Sequence, residues 1–296
     1  FCQGSTLILT AHSVNQVTYS WSNGSTGSSI SLNTPGIYSV TATDLNGCIA
    51  TVSKNITQKS IPAVQISGNL SPCLGSSTTL SAVNAIQYLW SNGSTSNSIT
   101  VTPSTSTQYS LTATGSNGCV KSTSVVVNPL PLPAAAISGG APICEGASAT
   151  LTATGGNQYL WSTGVNSNSI TVSDAGTYTV TVSNSLGCSV PTSITLIVNP
   201  NPTASIIGEA TVCEGNVLTL EAVGGSSYLW SNQATTSVIT VNPASSTSYS
   251  CTVSNVYGCS VVVNKPVNVN PLPEPLLYGN DYFCEGGEMV LIATGG

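Results

Sequence analysis

The sequence predicts an all-β fold: a tandem array of immunoglobulin-like or fibronectin-like β-sandwich domains forming an extended rod. Three observations carry this expectation. A cysteine, a tryptophan, a tyrosine and a second cysteine recur four times, as Cys2/Trp21/Tyr38/Cys48, Cys73/Trp90/Tyr109/Cys119, Cys144/Trp161/Tyr178/Cys188 and Cys213/Trp230/Tyr249/Cys259. Up to a fifth one at Cys284, the first cysteines stand 71, 71, 69 and 71 residues apart, and every tyrosine precedes its second cysteine by ten. Inside each period, short apolar-alternating segments are separated by Gly-, Ser- and Asn-rich turns, and no window carries a useful helical period. A fixed period means that each repeat is one structural unit and that function must be something an array can serve.

The third repeat shows the element order best. Ala134 to Ser138 reads as a first strand, followed by a Gly- and Pro-containing loop over 139–146 that holds Cys144. Ser148 to Thr154 alternates, with Leu151 and Ala153 on one face, and Gly155-Gly156 turns the chain into Gln158–Ser162, where Tyr159 and Trp161 point inward. Ser169 to Val172 follows, then Thr177 to Val182 with Tyr178, Val180 and Val182 on one face. A turn at Ser185-Leu186-Gly187 leads to a last strand carrying Ile194, Leu196 and Val198. A tryptophan on the third long strand and a tyrosine opening the penultimate one are what a sandwich of this type requires. Asn-Gly pairs at Asn23-Gly24, Asn92-Gly93, Asn46-Gly47 and Asn117-Gly118 supply hairpin turns, whereas the fourth repeat has Asn232-Gln233 and Tyr257-Gly258 there. The segment before the tyrosine alternates between short (Leu32–Tyr38, Val172–Tyr178) and long (Val101–Tyr109, Val241–Tyr249), hinting at a two-domain super-repeat.

The expected domains are residues 1–60 (a first repeat without its first strand), 61–130, 131–200, 201–272, and 273–296, the start of a fifth. Phe283-Cys284-Glu285-Gly286 matches Phe1-Cys2-Gln3-Gly4, so the sequence reads as a window of a longer polypeptide. The linkers Asn128-Pro-Leu-Pro-Leu-Pro133, Asn199-Pro-Asn-Pro202 and Asn270-Pro-Leu-Pro-Glu-Pro275 are proline-dense and so extended and semi-rigid; Thr57 to Pro62 is less so.

Composition excludes several functions. Four lysines, no arginine, ten acidic residues and a pI near 4.4 leave nothing to neutralise nucleic-acid phosphates or to bind an anionic membrane. No apolar run is long enough to span a bilayer. Ten cysteines at recurring positions, without metal-type pairs, point to disulfides and an oxidising compartment.

The composite pattern Cys-x-Gly, Thr-Leu-x-Ala, Tyr-x-Trp-Ser-x-Gly, Ser-Ile-x-Val, Tyr-x-Val and Gly-Cys resembles the Ig-like and PKD-like repeats of very long Bacteroidota surface proteins. The Trp-Ser-Asn-Gly and Gly-Thr-Tyr-x-Val-x-Val segments are similar to those of gliding-motility adhesin repeats. The resemblance covers the whole chain. It implies secretion by the type IX route and extracellular display at the cell surface, and it carries no binding residues over.

Individual residues read mostly as structure. Trp21, Trp90, Trp161 and Trp230 are core tryptophans by their identical placement beside inward tyrosines, and Tyr38, Tyr109, Tyr178 and Tyr249 read as tyrosine corners. His12 is the sole histidine, too few for a repeated metal site or a catalytic base in every repeat, so no enzyme activity and no cofactor are expected. Glu145, Glu214 and Glu285 follow first cysteines and are weak calcium candidates, although Gln3 and Leu74 stand there in the first two repeats. Cys251 takes the inward place of Val40, Leu111 and Val180 and reads as a buried free thiol. Lys54, Lys59, Lys121 and Lys265 share no common position, which argues against repeated isopeptide staples.

Two disulfide patterns are open. Each repeat could close on itself, as Cys2–Cys48, Cys73–Cys119, Cys144–Cys188 and Cys213–Cys259. In a sandwich, however, the first cysteine lies at the end facing the successor domain, and the second lies at the penultimate hairpin, about 20 Å away, while a disulfide needs Cα atoms within about 7 Å. That placement points instead to neighbour-to-neighbour staples: Cys2–Cys119, Cys73–Cys188 and Cys144–Cys259. Cys48, Cys213 and Cys284 then pair with further repeats or stay open. The expected function is a non-enzymatic structural segment of a secreted cell-surface protein, a disulfide-stapled rod acting as adhesin shaft, stalk or extracellular fibre. Its partners are neighbouring repeats, with self-association into fibres and a surface or glycan ligand as further possibilities. The alternatives are an array of glycan- or protein-binding modules and a laterally self-assembling filament subunit.

Overall fold

A computed structural model describes residues 1–279, 281–282 and 284–294. Phe283 of the fifth-repeat motif lies outside the described residues. Every regular element among them is a strand.

The first repeat comprises β1 (Leu7–Thr10), β2 (Val17–Trp21), β3 (Ser29–Leu32), β4 (Gly36–Asp44) and β5 (Ile49–Ile56). The second has β6 (Gln65–Ser67), β7 (Thr78–Val83), β8 (Gln87–Trp90), β9 (Ser98–Val101), β10 (Thr107–Thr114) and β11 (Val120–Val127). In the third lie β12 (Ala136–Ser138), β13 (Ile143–Cys144), β14 (Ala149–Thr154), β15 (Gln158–Trp161), β16 (Ser169–Val172), β17 (Gly176–Ser183), β18 (Ser189–Leu196) and β19 (Val198–Asn199). The fourth contains β20 (Ser205–Ile207), β21 (Thr211–Cys213), β22 (Leu218–Val223), β23 (Ser227–Trp230), β24 (Val238–Val241), β25 (Thr247–Ser254) and β26 (Ser260–Asn270), and a fifth hairpin pairs β27 (Leu276–Tyr278) with β28 (Ile292–Thr294).

Each of the four repeats is a sandwich of two antiparallel sheets. In the second repeat one sheet runs β6-β7-β9 and the other β11-β10-β8; the third and fourth repeats follow the same order, except that in the fourth β21 joins the second sheet in parallel beside β26. Alternation explains the layering: along β7, β14 and β22 every second residue is buried, placing Leu80, Leu151 and Leu220 at 0% exposure. Four separate apolar cores result, one per repeat, each built around its tryptophan. The indole N–H donates to the carbonyl six residues on, at 2.8–2.9 Å, on Gly27, Ser96, Ser167 and Thr236. A buried indole needs such an acceptor, and the turn after the tryptophan delivers it: Trp-Ser-Asn-Gly in the first two repeats, Trp-Ser-Thr-Gly in the third and Trp-Ser-Asn-Gln in the fourth. That turn places Gly24, Gly93 and Gly164 in left-handed backbone at φ 84–86°; the fourth repeat holds Gln233 there at 72°.

Contacts divide the chain into two compact units, Phe1–Pro133 with Ser185–Cys188, and Ala134–Asn184 with Ser189–Gly296. The first holds the cores of repeats one and two, the second those of repeats three and four.

Two features depart from the sequence expectation. The loop over 139–146 contains β13, which pairs in parallel with β19, and the last strand of the third repeat breaks at Ile197. A two-residue parallel pairing has no periodicity to read. The tyrosines also differ. All four are half-buried; Tyr178 donates to Asp174 O (2.9 Å) and Tyr38 meets Thr34, but Tyr109 and Tyr249 make no such bond among the described residues. In both of these the segment before the tyrosine is the long, proline-containing one.

Candidate functional site

What recurs in this chain with defined chemistry is the joint between neighbouring repeats. Its lower half is the first-cysteine loop. Gln3 N–H donates to Lys59 O at 2.9 Å, Leu74 N–H to Leu130 O at 2.8 Å, and the Glu145 and Glu214 N–H groups to Asn199 O and Asn270 O, both at 2.9 Å. In all four repeats the first cysteine is thereby paired, in parallel, with the residue where the last strand passes into the linker. The short ladder fixes the thiol at the exit of its own domain.

The upper half is the hairpin before the second cysteine. In the fourth repeat Asn255 Oδ1 accepts from the Cys259 N–H (3.1 Å) and the Tyr257 N–H (3.0 Å), while its Nδ2 donates to Pro200 O of the preceding linker at 2.8 Å. The second repeat has Gly115 at that place, and Asn117 performs both tasks: Oδ1 accepts from Cys119 N–H (3.1 Å) and Nδ2 donates to Ser60 O (2.8 Å). One amide thus orders the cysteine and clamps the linker, from two different positions. Lys59 Nζ adds a bond to Asn117 O (3.1 Å), and Asn201 Nδ2 one to Glu145 O (3.0 Å). The first repeat keeps the ordering half, with Asp44 Oδ1 accepting from Cys48 and Asn46 N–H, but a carboxylate has no N–H for a linker.

Disulfides join the two halves: Cys2–Cys119, Cys73–Cys188 and Cys144–Cys259, with Cα separations of 5.6, 5.6 and 5.5 Å. None of the self-closing pairs Cys2–Cys48, Cys73–Cys119, Cys144–Cys188 or Cys213–Cys259 is present. The second cysteines of the three bonds are at 0–1% exposure, whereas Cys48, Cys213 and Cys284 are free and exposed.

The other candidates do not assemble into a reactive site. Glu145, Glu214 and Glu285 are exposed, and no group of three or more metal-ligating side chains occurs among the described residues. The joint beside Glu145 is built of amides and sulfur. His12 lines an apolar groove of the first repeat beside Leu9 and Ala11, with no acid partner. Cys251 is buried at 0% exposure opposite Trp230; burial pushes its thiol above the ordinary range, opposed by a hydrogen bond with the Leu229 backbone. In native protein, a thiol reagent is expected to modify Cys48, Cys213 and Cys284 and to reach Cys251 only after denaturant is added. Mass spectrometry of the labelled peptides checks this.

Fold and joint together define a tandem array of immunoglobulin-like sandwiches cross-linked between neighbours. No protein-family profile matches the sequence, and no curated protein matches it. Solved structures similar to it include a Ca2+-stabilised, ice-binding adhesin of an Antarctic bacterium (14% identity, 90% of this chain and 95% of that one, TM-score 0.31). The ICAM-5 ectodomain fragment (11%, 92% and 93%, TM-score 0.38) and invasin, a bacterial integrin-binding protein (15%, 93% and 76%, TM-score 0.31), are similar at the same level.

Proposed function

We propose that this chain is a non-enzymatic mechanical segment of a secreted surface protein, a covalently stapled shaft that holds other parts of the molecule away from the cell. The observation that carries this reading is the disulfide pattern. Tension along the chain passes from the last strand of one repeat through the linker into the next. At each joint a second, covalent route runs beside it, because the first cysteine is bonded to the strand exit and the second to the following hairpin. A staple within a repeat would protect only that repeat; a staple between repeats also limits the hinge. Disulfides at recurring joints require an oxidising, extracytoplasmic setting. The resemblance to Bacteroidota surface repeats supplies the finer expectation of type IX export.

The array is expected to be extended. Strands of about seven residues with end loops give roughly 35–40 Å per domain, so four in line make about 150 Å. Small-angle scattering with and without a reductant tests this. Oxidised protein should give a narrow, rod-like distance distribution that broadens on reduction. A compact particle, or one indifferent to reductant, would refute the shaft.

A further inference from the structure

In the third repeat four side-chain amides line one open groove of about 750 Å³. Asn157 and Gln158 stand at the start of β15, and Asn166 and Asn168 lie on the crossing from β15 to β16 in the other sheet. Along β15 the side chains alternate, so Gln158 and Leu160 face outward beside Ser183 and Thr181 of β17, which line the groove as well. None of the four amide groups has a hydrogen-bond partner among the described residues. The backbone that carries them is nevertheless fixed. Trp161 donates its backbone N–H to Val165 O at 3.0 Å and its indole N–H to Ser167 O at 2.8 Å, holding the carbonyls on both sides of Asn166. Asn168 O accepts from Ala153 N–H, and Asn157 N–H donates to Ser183 O, both at 2.8 Å. The amides thus extend from ordered positions with donors and acceptors uncommitted, so binding has only side chains left to order.

The same frame recurs without the amides. In the fourth repeat Trp230 makes both bonds, to Ala234 O and Thr236 O; Ala222 N–H donates to Ser237 O and Ser226 N–H to Ser254 O. The side chains at the four places are there Ser226, Ser227, Thr235 and Ser237. The first repeat has Val17, Thr18, Thr26 and Ser28, and the second Ile86, Gln87, Thr95 and Asn97. The fold therefore does not require amides at these positions. What they add to the third repeat is hydrogen-bonding capacity directed at a ligand.

We propose that this groove binds a neutral oligosaccharide, in the third repeat and not in every repeat. Among the described residues no charged side chain lines it, so a charged ligand would lose water without gaining a counter-charge. Each amide sets an N–H donor and a carbonyl acceptor side by side. A sugar hydroxyl, itself both donor and acceptor, satisfies that pair, and the Thr181 and Ser183 hydroxyls extend the set. Leu160, at 52% exposure, offers an aliphatic surface to the C–H face of a sugar ring. The volume lies in the range of small-ligand sites. An extended peptide, by contrast, would bind through main-chain pairing along a strand edge with apolar side-chain pockets, whereas the groups gathered here are polar side chains. The groove lies outside the stapled joints, and the proposal does not rest on the shaft reading.

The test titrates the 15N-labelled 296-residue chain with maltotriose, cellotriose and mannotriose, with trigalacturonic acid as the charged control and an Asn- and Gln-rich hexapeptide as the peptide control. At least one neutral sugar should shift the side-chain NH2 signals of Asn157, Gln158, Asn166 and Asn168, with a Kd of about 1 mM or tighter. The two controls should leave those signals in place. The combined exchange Asn157→Ser, Gln158→Ser, Asn166→Thr and Asn168→Ser installs the residues that the fourth repeat carries on the same frame. It should weaken binding by about tenfold or more while circular dichroism and the urea transition stay unchanged. The reverse exchange, Ser226→Asn, Ser227→Gln, Thr235→Asn and Ser237→Asn, should make the four new amides respond to the same sugar. The proposal is overturned if no neutral sugar shifts the third-repeat amides, if either control does, if the first exchange leaves affinity intact, or if the reverse exchange leaves the fourth repeat silent. The scattering experiment measures the length of the chain and succeeds or fails independently.

Discussion

Replacing Trp161 with alanine is expected to unfold the third repeat, or bring it to the edge of unfolding. The side chain is at 2% exposure amid Leu151, Ile170, Val180 and Val182, so truncation leaves a cavity in a core of few residues. Large-to-small changes of this kind cost about 3–5 kcal/mol, and the Ser167 carbonyl loses the indole N–H as well. A domain of this size has a total stability of about 4–11 kcal/mol. Hydrogen exchange resolved by peptide should show protection lost across 134–199 and retained in β7–β11. Trp161→Phe should lie between, keeping an aromatic ring, though a smaller one, but not the bond. A shift below about 1 kcal/mol in the urea transition would mean that the tryptophan is not the centre of its core.

Removing the Cys144–Cys259 bond, as Cys144→Ala with Cys259→Ala, should have the second largest effect. The bond closes a loop of 115 residues, and long-loop disulfides contribute about 2–5 kcal/mol, chiefly by restricting the unfolded chain. Here the loop spans most of two folded repeats, β14 to β25, so the loss should appear as uncoupling. Repeats three and four, which share linker bonds at Asn201 and Asn255, should separate into two urea transitions where the oxidised protein shows one. Cys213→Ala should leave the transitions in place, because that thiol is exposed and unbonded in a single chain. A double variant that unfolds like the parent would show that the joint carries no load.

The repeat period, the strand alternation and the tryptophan-centred cores were legible in the sequence, because each rests on local periodicity and on identical residues at identical offsets. Gly24 and Gly93 were legible as turns, because a left-handed backbone restricts the residue type, but not as what they join: β2 and β3, like β8 and β9, lie in different sheets, so these Asn-Gly pairs cross the sandwich and do not close the hairpins expected of them. The asparagine clamp was not. Asn117 and Asn255 perform one task from different offsets, so aligning the repeats hides their equivalence, and only the carbonyls of Ser60 and Pro200 reveal it. A short parallel ladder such as Ile143–Cys144 on Val198–Asn199 carries no pattern of its own, yet it fixes the thiol. Spacing alone allowed two sets of disulfides. The choice between them was made by tertiary structure, because strand length separates the cysteines within a repeat, while the ladder at one end and the hairpin at the other bring those of successive repeats together.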